Sequence, residues 1–534
     1  MKNNNLEITI HIGRKTTILY ARAGKILKES LVSSGVYVSF PCGGLARCGK
    51  CMVKFIKGAP VPNSYDLKFL TKDELEQGKR LACRCILRED CEIRLEDVLL
   101  DKEIEAETLP VGDKPDDDDE ILSYGIAIDI GTTTIAMALL GKLYDGKSVL
   151  IDTVSGINHQ RKFGTDVISR ISYASDEAGR KRLCDSIRED LAVLINELIE
   201  KNNIEAVNLI CITGNTTMLH LLRNYDTSPL GRYPYKPWNI SFEWLVLKEV
   251  IGEKMSFLPK TMDDVETVIM PGISAFVGAD IVAGIYAFMY PFDGKKKLFI
   301  DLGTNGEMAF CDGEKIYVTS TAAGPVFEAG GISCGVPSIN GAICHLKIEK
   351  ECEEFKVRSE TIGNRKAVGV CGTGVLEAVS ELVRNEIVDK TGLLTYKYFD
   401  SGFALCDDNP EIKLTQNDIR NVQLAKAAIN AGANELVKGE KVSEILIAGG
   451  FGTHLDKDKI KYLKLLNDDL LENCETVGNS ALRGAYEFLG KCLDGEDSKA
   501  KETKSIENII SCAKEIILAE NDSFDEKYVE AMNF

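Results

Sequence analysis

Residues 40–51 read FPCGGLARCGKC, and this stretch decides the fold of the first part of the chain. It places Cys42, Cys48 and Cys51 and three glycines within ten residues. Three thiolates on one tight loop, joined by a fourth thiolate from elsewhere in the chain, are how a protein holds a 2Fe–2S cluster. Glycines suit such a loop because they adopt positive φ and let amide N–H groups approach the sulfurs closely. The stretch therefore predicts an iron–sulfur site.

The spacing of the loop cysteines agrees with this prediction. Five residues separate Cys42 from Cys48, and two separate Cys48 from Cys51. The plant-type ferredoxin pattern has four and two, and a spacing of five is that of the vertebrate-type ferredoxins. The difference changes the shape of the loop but hardly affects which residues are ligands.

The fourth ligand has three candidates, Cys83, Cys85 and Cys91. We favour Cys83 because residues 81–84, LACR, resemble the segment that carries the fourth ligand in ferredoxins. Cys85 and Cys91 stay open as alternatives. Most of the other cysteines lie beside apolar residues, where buried free thiols are the ordinary interpretation.

The segments around the loop read as a small α+β domain. Alternating apolar and polar residues predict a hairpin over 6–21 and strands over 52–56 and 91–95. Helical spacing of apolar residues predicts helices over 26–31 and 67–75. This order fits an N-terminal β-grasp 2Fe–2S ferredoxin domain. We place that domain at residues 1–97.

An acidic linker follows at residues 98–122. It carries ten Asp and Glu against two Lys, together with two prolines and a glycine. Residues 1–97, in contrast, carry 17 Lys and Arg against 11 Asp and Glu. As a flexible coil the linker would span on the order of 25–30 Å. It predicts a tether on which the ferredoxin domain can move between two partners.

Composition excludes several classes of function. The 534 residues are 44% hydrophobic and carry a net charge of −18, which argues against nucleic acid as a partner. No apolar run approaches the roughly 18 to 20 residues that span a bilayer, and the first residues lack the apolar core of a signal peptide. We expect a cytoplasmic protein that does not bind a membrane.

The remainder of the chain, residues 123–534, contains one motif twice. Residues 124–138, YGIAIDIGTTTIAMA, are an apolar strand, a tight polar turn and a second strand, and residues 298–310, LFIDLGTNGEMAF, are the same device. A third glycine-rich segment, residues 445–452, reads ILIAGGFG. The repeat predicts two duplicated α/β subdomains, the second starting near residue 296.

The chemistry of the repeat is that of a phosphate site. A Gly-Thr turn between strands presents amide N–H groups and hydroxyls to phosphate oxygens. The Asp before each turn ends a strand, where it can hold Mg²⁺ or orient a water molecule. Paired glycines after a buried strand let the backbone approach an adenosine. The residues concerned are Asp129, Gly131, Thr132 and Thr133 in the first turn, Asp301, Gly303, Thr304 and Asn305 in the second, and Gly449 and Gly450 in the third segment.

These three segments resemble the phosphate-1, phosphate-2 and adenosine motifs of the acetate and sugar kinase, heat-shock chaperone and actin superfamily. The chain contains no P-loop. The expected fold is therefore α+β and α/β multidomain, with a β-grasp ferredoxin domain followed by an actin-like ATPase. ATP and Mg²⁺ are the expected ligands of the second part.

The whole arrangement resembles the reductive activators of corrinoid-dependent methyltransferases. The resemblance includes residues 214–218 (GNTTM), 371–374 (CGTG) and 477–482 (VGNSAL). In that family an electron passes through the cluster and ATP drives the return of Co(II) to nucleophilic Co(I). The chain lacks room between linker and ATPase for the small extra domain of some members, which bears on how the ferredoxin domain docks. It also has no C-terminal cysteine-rich segment, and this second difference predicts a single 2Fe–2S centre.

The resemblance implies partners and roles. The partners are a corrinoid protein or corrinoid-dependent methyltransferase and an external low-potential electron donor, and a homodimer is the assembly to consider. Asp129 and Asp301 would manage Mg²⁺ and water, and Glu307 is a candidate for positioning water. The alternative role for Glu307 is that of a salt-bridged strand residue.

Two other functions fit the same features. A small-molecule kinase with a ferredoxin as redox sensor would phosphorylate an added acceptor. A non-enzymatic, nucleotide-dependent redox regulator would bind ATP and the cluster but pass no electron to cobalt.

Overall fold

The computed structural model describes residues 5–12, 15–33, 44, 46, 49, 51–95, 108–109, 120–351, 354–449, 457–471 and 473–534. The chain divides into two compact units. The smaller comprises Met1–Lys102, Asn158–Asp190 and His220–Trp238, and the larger comprises Glu103–Ile157, Leu191–Leu219 and Asn239–Phe534. The domain boundaries that the sequence suggests stay a prediction.

The strands of the described residues form one five-stranded, two six-stranded, one three-stranded and one two-stranded sheet. Their bounds are β1 Asn5–Ile12, β2 Lys15–Arg22, β3 Met52–Lys57, β4 Lys79–Leu81, β5 Cys91–Leu95, β6 Ile121–Ile130, β7 Thr134–Leu143, β8 Ser148–Ile157, β9 Leu209–Gly214, β10 Glu243–Val246, β11 Glu266–Ile269, β12 Lys297–Leu302, β13 Gly306–Cys311, β14 Ile316–Thr321, β15 Ala342–Glu351, β16 Glu354–Thr361, β17 Gly369–Val370, β18 Phe403–Ala404, β19 Lys413–Leu414, β20 Glu444–Ala448, β21 Cys474–Gly478 and β22 Ala513–Glu515.

The helices range from single turns to the 26 residues of α5. Their bounds are α1 Leu27–Ser33, α2 Ser64–Phe69, α3 Lys72–Glu76, α4 Val167–Tyr173, α5 Glu177–Asn202, α6 Thr216–Leu222, α7 Leu247–Ile251, α8 Ala279–Phe288, α9 Gly372–Arg384, α10 Tyr396–Phe399, α11 Gln416–Val437, α12 Lys457–Leu463, α13 Asp468–Leu471, α14 Ser480–Cys492, α15 Glu496–Cys512 and α16 Asp522–Glu530.

The N-terminal part is a five-stranded sheet in the order β2-β1-β5-β3-β4. β1 pairs antiparallel with β2 and parallel with β5, with Ile8 opposite Cys91. Ile8, Ile10, Leu27 and Ile93 are buried together in its core. A hairpin whose first strand pairs parallel with the last strand is the β-grasp arrangement, and it confirms the fold predicted for the first hundred residues.

The helix predicted over residues 67–75 is wrong, because the structure has two short helices there. α2 ends at Phe69 and α3 begins at Lys72. Thr71 lies between them with φ −71° and ψ 164°, and its hydroxyl accepts a hydrogen bond from the Glu74 amide at 3.3 Å. A threonine that caps the N-terminus of a helix needs this extended backbone, which interrupts any helix running through it.

The larger unit contains two six-stranded sheets with a common topology. Their orders are β10-β11-β9-β6-β7-β8 and β21-β20-β12-β13-β14-β22. In each, the first strand of an antiparallel meander also pairs parallel with a later strand, β6 with β9 and β12 with β20. This shared order confirms the predicted duplication.

The two sheets place their motif turns at equivalent edges. In the first sheet Asp129 lies opposite Thr213 of the parallel neighbour β9. In the second sheet Asp301 lies opposite Ala448 of β20. Because the carboxyl ends of parallel strands meet at one edge of a sheet, each Asp and its turn come beside the segment that follows the next strand.

Across the part of the chain that the structure describes, no helix combines the length and apolar character that a membrane crossing needs.

Candidate functional site

The cluster loop is described at Gly44, Ala46, Gly49 and Cys51, whereas Cys42 and Cys48 lie outside the described residues. Gly44, Ala46 and Gly49 all have positive φ, at 85°, 56° and 69°. A Cβ at Gly49 would stand 3.0 Å from the side chain of Phe69. These three residues have the left-handed backbone that a segment wrapped round a cluster needs.

Cys51 and Cys83 are brought together although 32 positions separate them. Each is 3% exposed, and the backbone amide of Ala82 donates to the carbonyl of Cys51 at 2.9 Å. A hydrogen bond from the Cys51 thiol lowers the pKa of Cys83 to about 7 against the opposing effect of burial. The nearby charges of Arg84 and Lys28 and the amide of Ala46 favour the same thiolate form.

Cys85 and Cys91 have the opposite character. Burial, followed by the negative charge of Asp66, raises the pKa of Cys85 to about 12. Burial, followed by Asp90, raises the pKa of Cys91 to about 11. Iron is bound by thiolate, so a thiol held protonated in an apolar core is a poor ligand. The hydrogen bond between Cys51 and Cys83 favours Cys83 as the fourth ligand, and this assignment stays a prediction.

The segment that carries Cys83 is held in place by Asp66. This buried carboxylate accepts hydrogen bonds from the amide of Leu81 at 2.8 Å and from the amide of Asn63 at 2.9 Å. It thereby ties the first turn of α2 to the end of β4, two residues before Cys83. The residues present fit a 2Fe–2S cluster, because Cys51 and Cys83 are hydrogen-bonded to each other and the positive charges of Arg84 and Lys28 lie near them.

The first Gly-Thr turn connects β6 to β7. Thr132 is nearly buried, and its hydroxyl accepts a hydrogen bond from Nδ2 of Asn215 at 3.1 Å. Asn215 follows β9, and its Oδ1 accepts from the amide of Met218 at 3.0 Å. The polar segment after β9 is therefore part of the site and orients the turn.

The second Gly-Thr turn connects β12 to β13, and the third glycine segment lies against it. The amide of Gly303 donates to the carbonyl of Asn305 at 2.9 Å. Gly449 has φ 119°, and a Cβ there would stand 2.3 Å from the carbonyl oxygen of Leu302. Only glycine fits this approach. Gly450 lies outside the described residues.

Glu328 joins the two Gly-Thr turns. Its Oε2 accepts hydrogen bonds from the hydroxyls of Thr133 and Thr304, each at 3.3 Å. Glu328 ends the short 3₁₀ helix Pro325–Glu328 and is exposed. The sequence marks residues 322–328 only as glycine before an apolar run, and nothing in that pattern identifies the glutamate as the bridge.

Four carboxylates surround the turns, from Asp129, Asp280, Asp301 and Glu307. Burial raises the pKa of Asp129 to about 7; a hydrogen bond from Asn479 opposes this shift and the charge of Asp280 adds to it. Burial raises the pKa of Asp280 to about 6. Burial and the charges of Asp280 and Asp301 raise the pKa of Glu307 well above its ordinary value. Crowded acids of this kind are poised to receive a cation.

Asp280 is the member of this group that sequence reasoning missed. It lies in the first turn of α8, after Gly278 at the N-cap. A Cβ at Gly278 would stand 2.6 Å from the amide nitrogen of Thr216, so α8 begins in direct contact with the segment after β9. The sequence signal for Asp280 was a glycine and an acidic residue at the start of an apolar helix. This combination is common at ordinary helix N-termini.

Glu307 has no cation within salt-bridge distance among the described residues. Its Oε1 accepts a hydrogen bond from the hydroxyl of Ser320 at 3.3 Å, and Glu307 lies opposite Asp301 in the sheet. The geometry therefore favours the interpretation of Glu307 as a site residue over that of a salt-bridged strand residue.

Within the described ranges, no three Asp, Glu, His or Cys side chains are close enough together to hold a metal ion unaided. Magnesium commonly takes one or two protein carboxylates and completes its shell with phosphate oxygens and water. The arrangement suits a metal that arrives with a nucleotide.

Three family models match the chain. They describe the 2Fe-2S iron-sulfur cluster binding domain over residues 10–88, the RACo middle region over residues 124–290, and the C-terminal domain of RACo, the ASKHA domain, over residues 295–534. Together they cover the ferredoxin-like sheet and both duplicated subdomains.

Two relatives are similar to this chain over about three quarters of its length. The corrinoid activation enzyme RamQ of Eubacterium limosum is 34% identical over 78% of this chain and 71% of its own length. The [Co(II) methylated amine-specific corrinoid protein] reductase of Methanosarcina barkeri is 24% identical over 77% of each. A solved structure of a reductive activator for corrinoid, iron-sulfur protein matches with 26% identity and a TM-score of 0.66, covering 99% of this chain and 98% of that one.

Proposed function

Because this chain belongs to the family of corrinoid-protein reductive activators, we propose that it reduces an inactive Co(II) corrinoid protein to Co(I) in a step driven by ATP. The observation that carries the proposal is the presence, in one chain, of two hydrogen-bonded cysteines, Cys51 and Cys83, and of two phosphate-type turns joined through Glu328. A protein that holds a cluster does not need phosphate-binding turns, and a protein that binds ATP does not need a cluster, so it is their combination that supports the proposal.

The ferredoxin-like part holds the redox group. Cys42, Cys48, Cys51 and Cys83 are the proposed ligands of a 2Fe–2S cluster, which supplies one electron at a time. Lys28 and Arg84 stand close enough to Cys83 to lower its pKa. Their positive charges offset the negative charge of a cluster bound by four thiolates.

The larger unit holds the nucleotide. Gly131, Thr132 and Thr133 and the second turn, Gly303 to Asn305, would donate to phosphate oxygens. Asp129 and Asp301 would hold Mg²⁺ together with those oxygens, and Asp280 would hold water in the metal's shell. Glu307 would orient the attacking water.

Adenosine would lie against Gly449 and Gly450. The backbone at Gly449 lies directly against Leu302, where a side chain would not fit. When the nucleotide binds, the hydroxyls of Thr133 and Thr304 would donate to its phosphate oxygens in place of the Glu328 carboxylate.

Coupling to ATP would supply the free energy that the reduction of Co(II) to Co(I) needs. Plant-type clusters have reduction potentials near about −400 mV, and reduction of Co(II) to Co(I) is harder than such a donor readily drives. A nucleotide that binds one of two conformations more tightly can favour the complex in which cobalt accepts the electron. An external low-potential donor would refill the cluster, and a homodimer is the assembly proposed.

The test is anaerobic spectroscopy of the full-length protein loaded with its cluster. The protein is reduced chemically and mixed with a Co(II) corrinoid protein, either a corrinoid iron–sulfur protein or a methylamine-specific one, with and without ATP. We expect the Co(I) absorption band only with ATP, and its loss in Asp301→Asn, which leaves the cluster intact.

Two results would decide against the proposal. Absence of the Co(I) band with both corrinoid proteins would remove its basis. Transfer of phosphate from ATP to an added small molecule, without cobalt reduction, would favour the kinase alternative.

A further inference from the structure

The smaller unit contains more than the ferredoxin-like sheet. Asn158–Asp190 and His220–Trp238 belong to it as well, and they include α4 and the first half of α5. Both segments follow the acidic linker at residues 98–122 in the sequence. The ferredoxin domain is therefore in contact with residues from which the linker separates it in the chain.

Lys28 of α1 lies between the cluster loop and Tyr173 of α4. A Cβ at Gly44 of the loop would collide with the Nζ of Lys28, and the same Nζ lies over the Tyr173 ring, 5.7 Å from its centre. An ammonium group within about 6 Å of an aromatic ring is attracted to the negative face of that ring. One lysine thus joins the loop that carries the proposed cluster ligands to a residue beyond the linker.

Tyr173 has two further neighbours that hold its side chain. Its ring packs against the ring of Phe163, with 4.9 Å between the two centres. Its hydroxyl accepts a hydrogen bond from Nη1 of Arg182 at 3.0 Å. This hydrogen bond raises the pKa of Arg182, and the negative charge of Glu29 adds to the shift. Glu29 follows Lys28 in α1, so two adjacent side chains of the ferredoxin domain lie near the same pair of residues.

The support beneath Tyr173 is rigid. Arg170, three positions before it in α4, is fully buried and donates to the carbonyl of Gly164 at 2.9 Å. A Cβ at Gly179, in the first turn of α5, would collide with the carbonyl oxygen of Tyr173, so the two helices meet closely. Arg182 follows Gly179 by three positions and therefore lies on the same side of α5. The tyrosine ring and the guanidinium are thus in place before the ferredoxin domain arrives.

The contacts across this surface are few and individually weak. Lys28 and Tyr173 are partly exposed, and Glu29 and Arg182 are exposed. Cation–π contacts and charge pairs at such positions contribute little each, because water and salt screen them. The ferredoxin domain can therefore leave this surface without a large cost in free energy.

We propose that Tyr173 and Arg182 form a docking surface for the ferredoxin domain of the same chain, which binds Lys28 and Glu29 and which the domain leaves to deliver its electron. The second step rests on the proposed function. In the docked position Lys28 and Tyr173 lie beside Gly44, so this edge of the cluster loop is next to the chain's own residues. An acceptor protein that approaches this edge needs the space that α4 occupies.

Small-angle X-ray scattering of the full-length, cluster-loaded protein tests the docking surface. We expect Tyr173→Leu and Lys28→Gln each to increase the radius of gyration, because the released ferredoxin domain moves on its linker. Since the two residues act as one pair, the double variant should increase the radius no further than the single variants do. Tyr173→Phe keeps the ring, and its radius should lie closer to that of the wild type.

Two matched controls alter a tyrosine and a lysine away from this surface. Tyr396→Leu replaces a tyrosine of the larger unit that is 98% exposed, and Lys57→Gln replaces an exposed lysine at the end of β3. Neither should change the radius of gyration.

An unchanged radius in either Tyr173→Leu or Lys28→Gln, or additive increases in the double variant, would overturn the docking surface. The measurement uses neither ATP nor a corrinoid protein. Its outcome is therefore independent of the outcome for cobalt reduction.

Discussion

Asn479 donates a hydrogen bond from Nδ2 to Oδ2 of Asp129 at 3.0 Å, across 350 residues of chain. The other end of the same amide, Oδ1, accepts from the amide of Leu482 and caps α14. Because Oδ1 is used in the helix cap, Nδ2 is the atom of the Asn479 amide that faces Asp129 of the first motif. A Cβ at Gly125 would stand 2.9 Å from Leu489 of α14, so this helix packs directly on β6. The N-cap residue of α14 therefore contributes a hydrogen bond to Asp129, beside the first Gly-Thr turn.

Replacing Asn479 should shift the pH dependence of ATP hydrolysis. The hydrogen bond favours the charged form of Asp129, whose pKa is about 7, and Mg²⁺ requires that form. Asn479→Ala should move the midpoint of the rate profile upward by about one pH unit. Asn479→Asp keeps the capping oxygen but adds a like charge, and it should shift the midpoint at least as far with less loss of stability. An unchanged midpoint in both variants would argue against the coupling.

Asp129 should make the metal-free protein less stable as pH rises. Its folded-state pKa of about 7 lies above the ordinary value of 3.8, so the folded state binds more protons and stability falls between about pH 4 and pH 7. Asp129→Asn should therefore raise the melting temperature of the ATPase domain at pH 8 more than at pH 5, measured calorimetrically with a chelator. Asp145→Asn, at an exposed turn, serves as control. A gain independent of pH would contradict the assignment.

Removing the Glu328 carboxylate should tighten nucleotide binding. It accepts the threonine hydroxyls that phosphate oxygens would accept, and its negative charge opposes theirs. Glu328→Ala should lower the Kd of a fluorescent ATP analogue by several-fold, roughly 1 kcal/mol. Glu314→Ala, an exposed acid in the β13–β14 turn, should leave the Kd unchanged. Weaker binding by Glu328→Ala would mean that the carboxylate assists the nucleotide instead.

Gly449→Ala should damage both stability and nucleotide binding. Its Cβ would stand 2.3 Å from a carbonyl oxygen, and its φ of 119° is unfavourable for alanine. Gly439→Ala offers a matched control because Gly439 also has positive φ, 76°, but nothing within 4 Å of the added Cβ. We expect Gly439→Ala to cost about 1 kcal/mol and Gly449→Ala roughly 2–4 kcal/mol. Equal thermal shifts in the two variants would show that the contact at Gly449 relaxes freely.

Cysteine substitutions separate the candidates for the fourth ligand. Cys83→Ser should abolish the visible absorption and the iron content of the cluster, because it removes the one candidate whose thiolate form is favoured. Cys85→Ser should retain the cluster and lose some stability, since it places a hydroxyl in an apolar core. Survival of the cluster in Cys83→Ser together with its loss in Cys85→Ser would reverse the assignment.

Local sequence patterns determined the chemistry of this protein. Cysteine and glycine spacing at residues 40–51 and the repeated Asp-x-Gly-Thr turns predict an iron–sulfur cluster and a nucleotide as ligands, because cluster loops and phosphate turns are short and depend on adjacent residues. The same patterns determined the duplicated fold. They erred where a single capping residue, Thr71, divides a helix, since one hydrogen bond there outweighs helical periodicity over nine residues.

Tertiary structure alone decided which distant residues complete each site. Asp280, Glu328 and Asn479 come from segments far apart in the chain, and no periodicity relates them to the turns they serve. The sequence favours Cys83 over Cys85 and Cys91 only through its neighbours in LACR, whereas in the structure a hydrogen bond from Cys51 lowers the pKa of Cys83 and burial raises the pKa of Cys85 and of Cys91. Electrostatic and hydrogen-bonding environments are properties of residues close in space, and sequence order does not record that closeness.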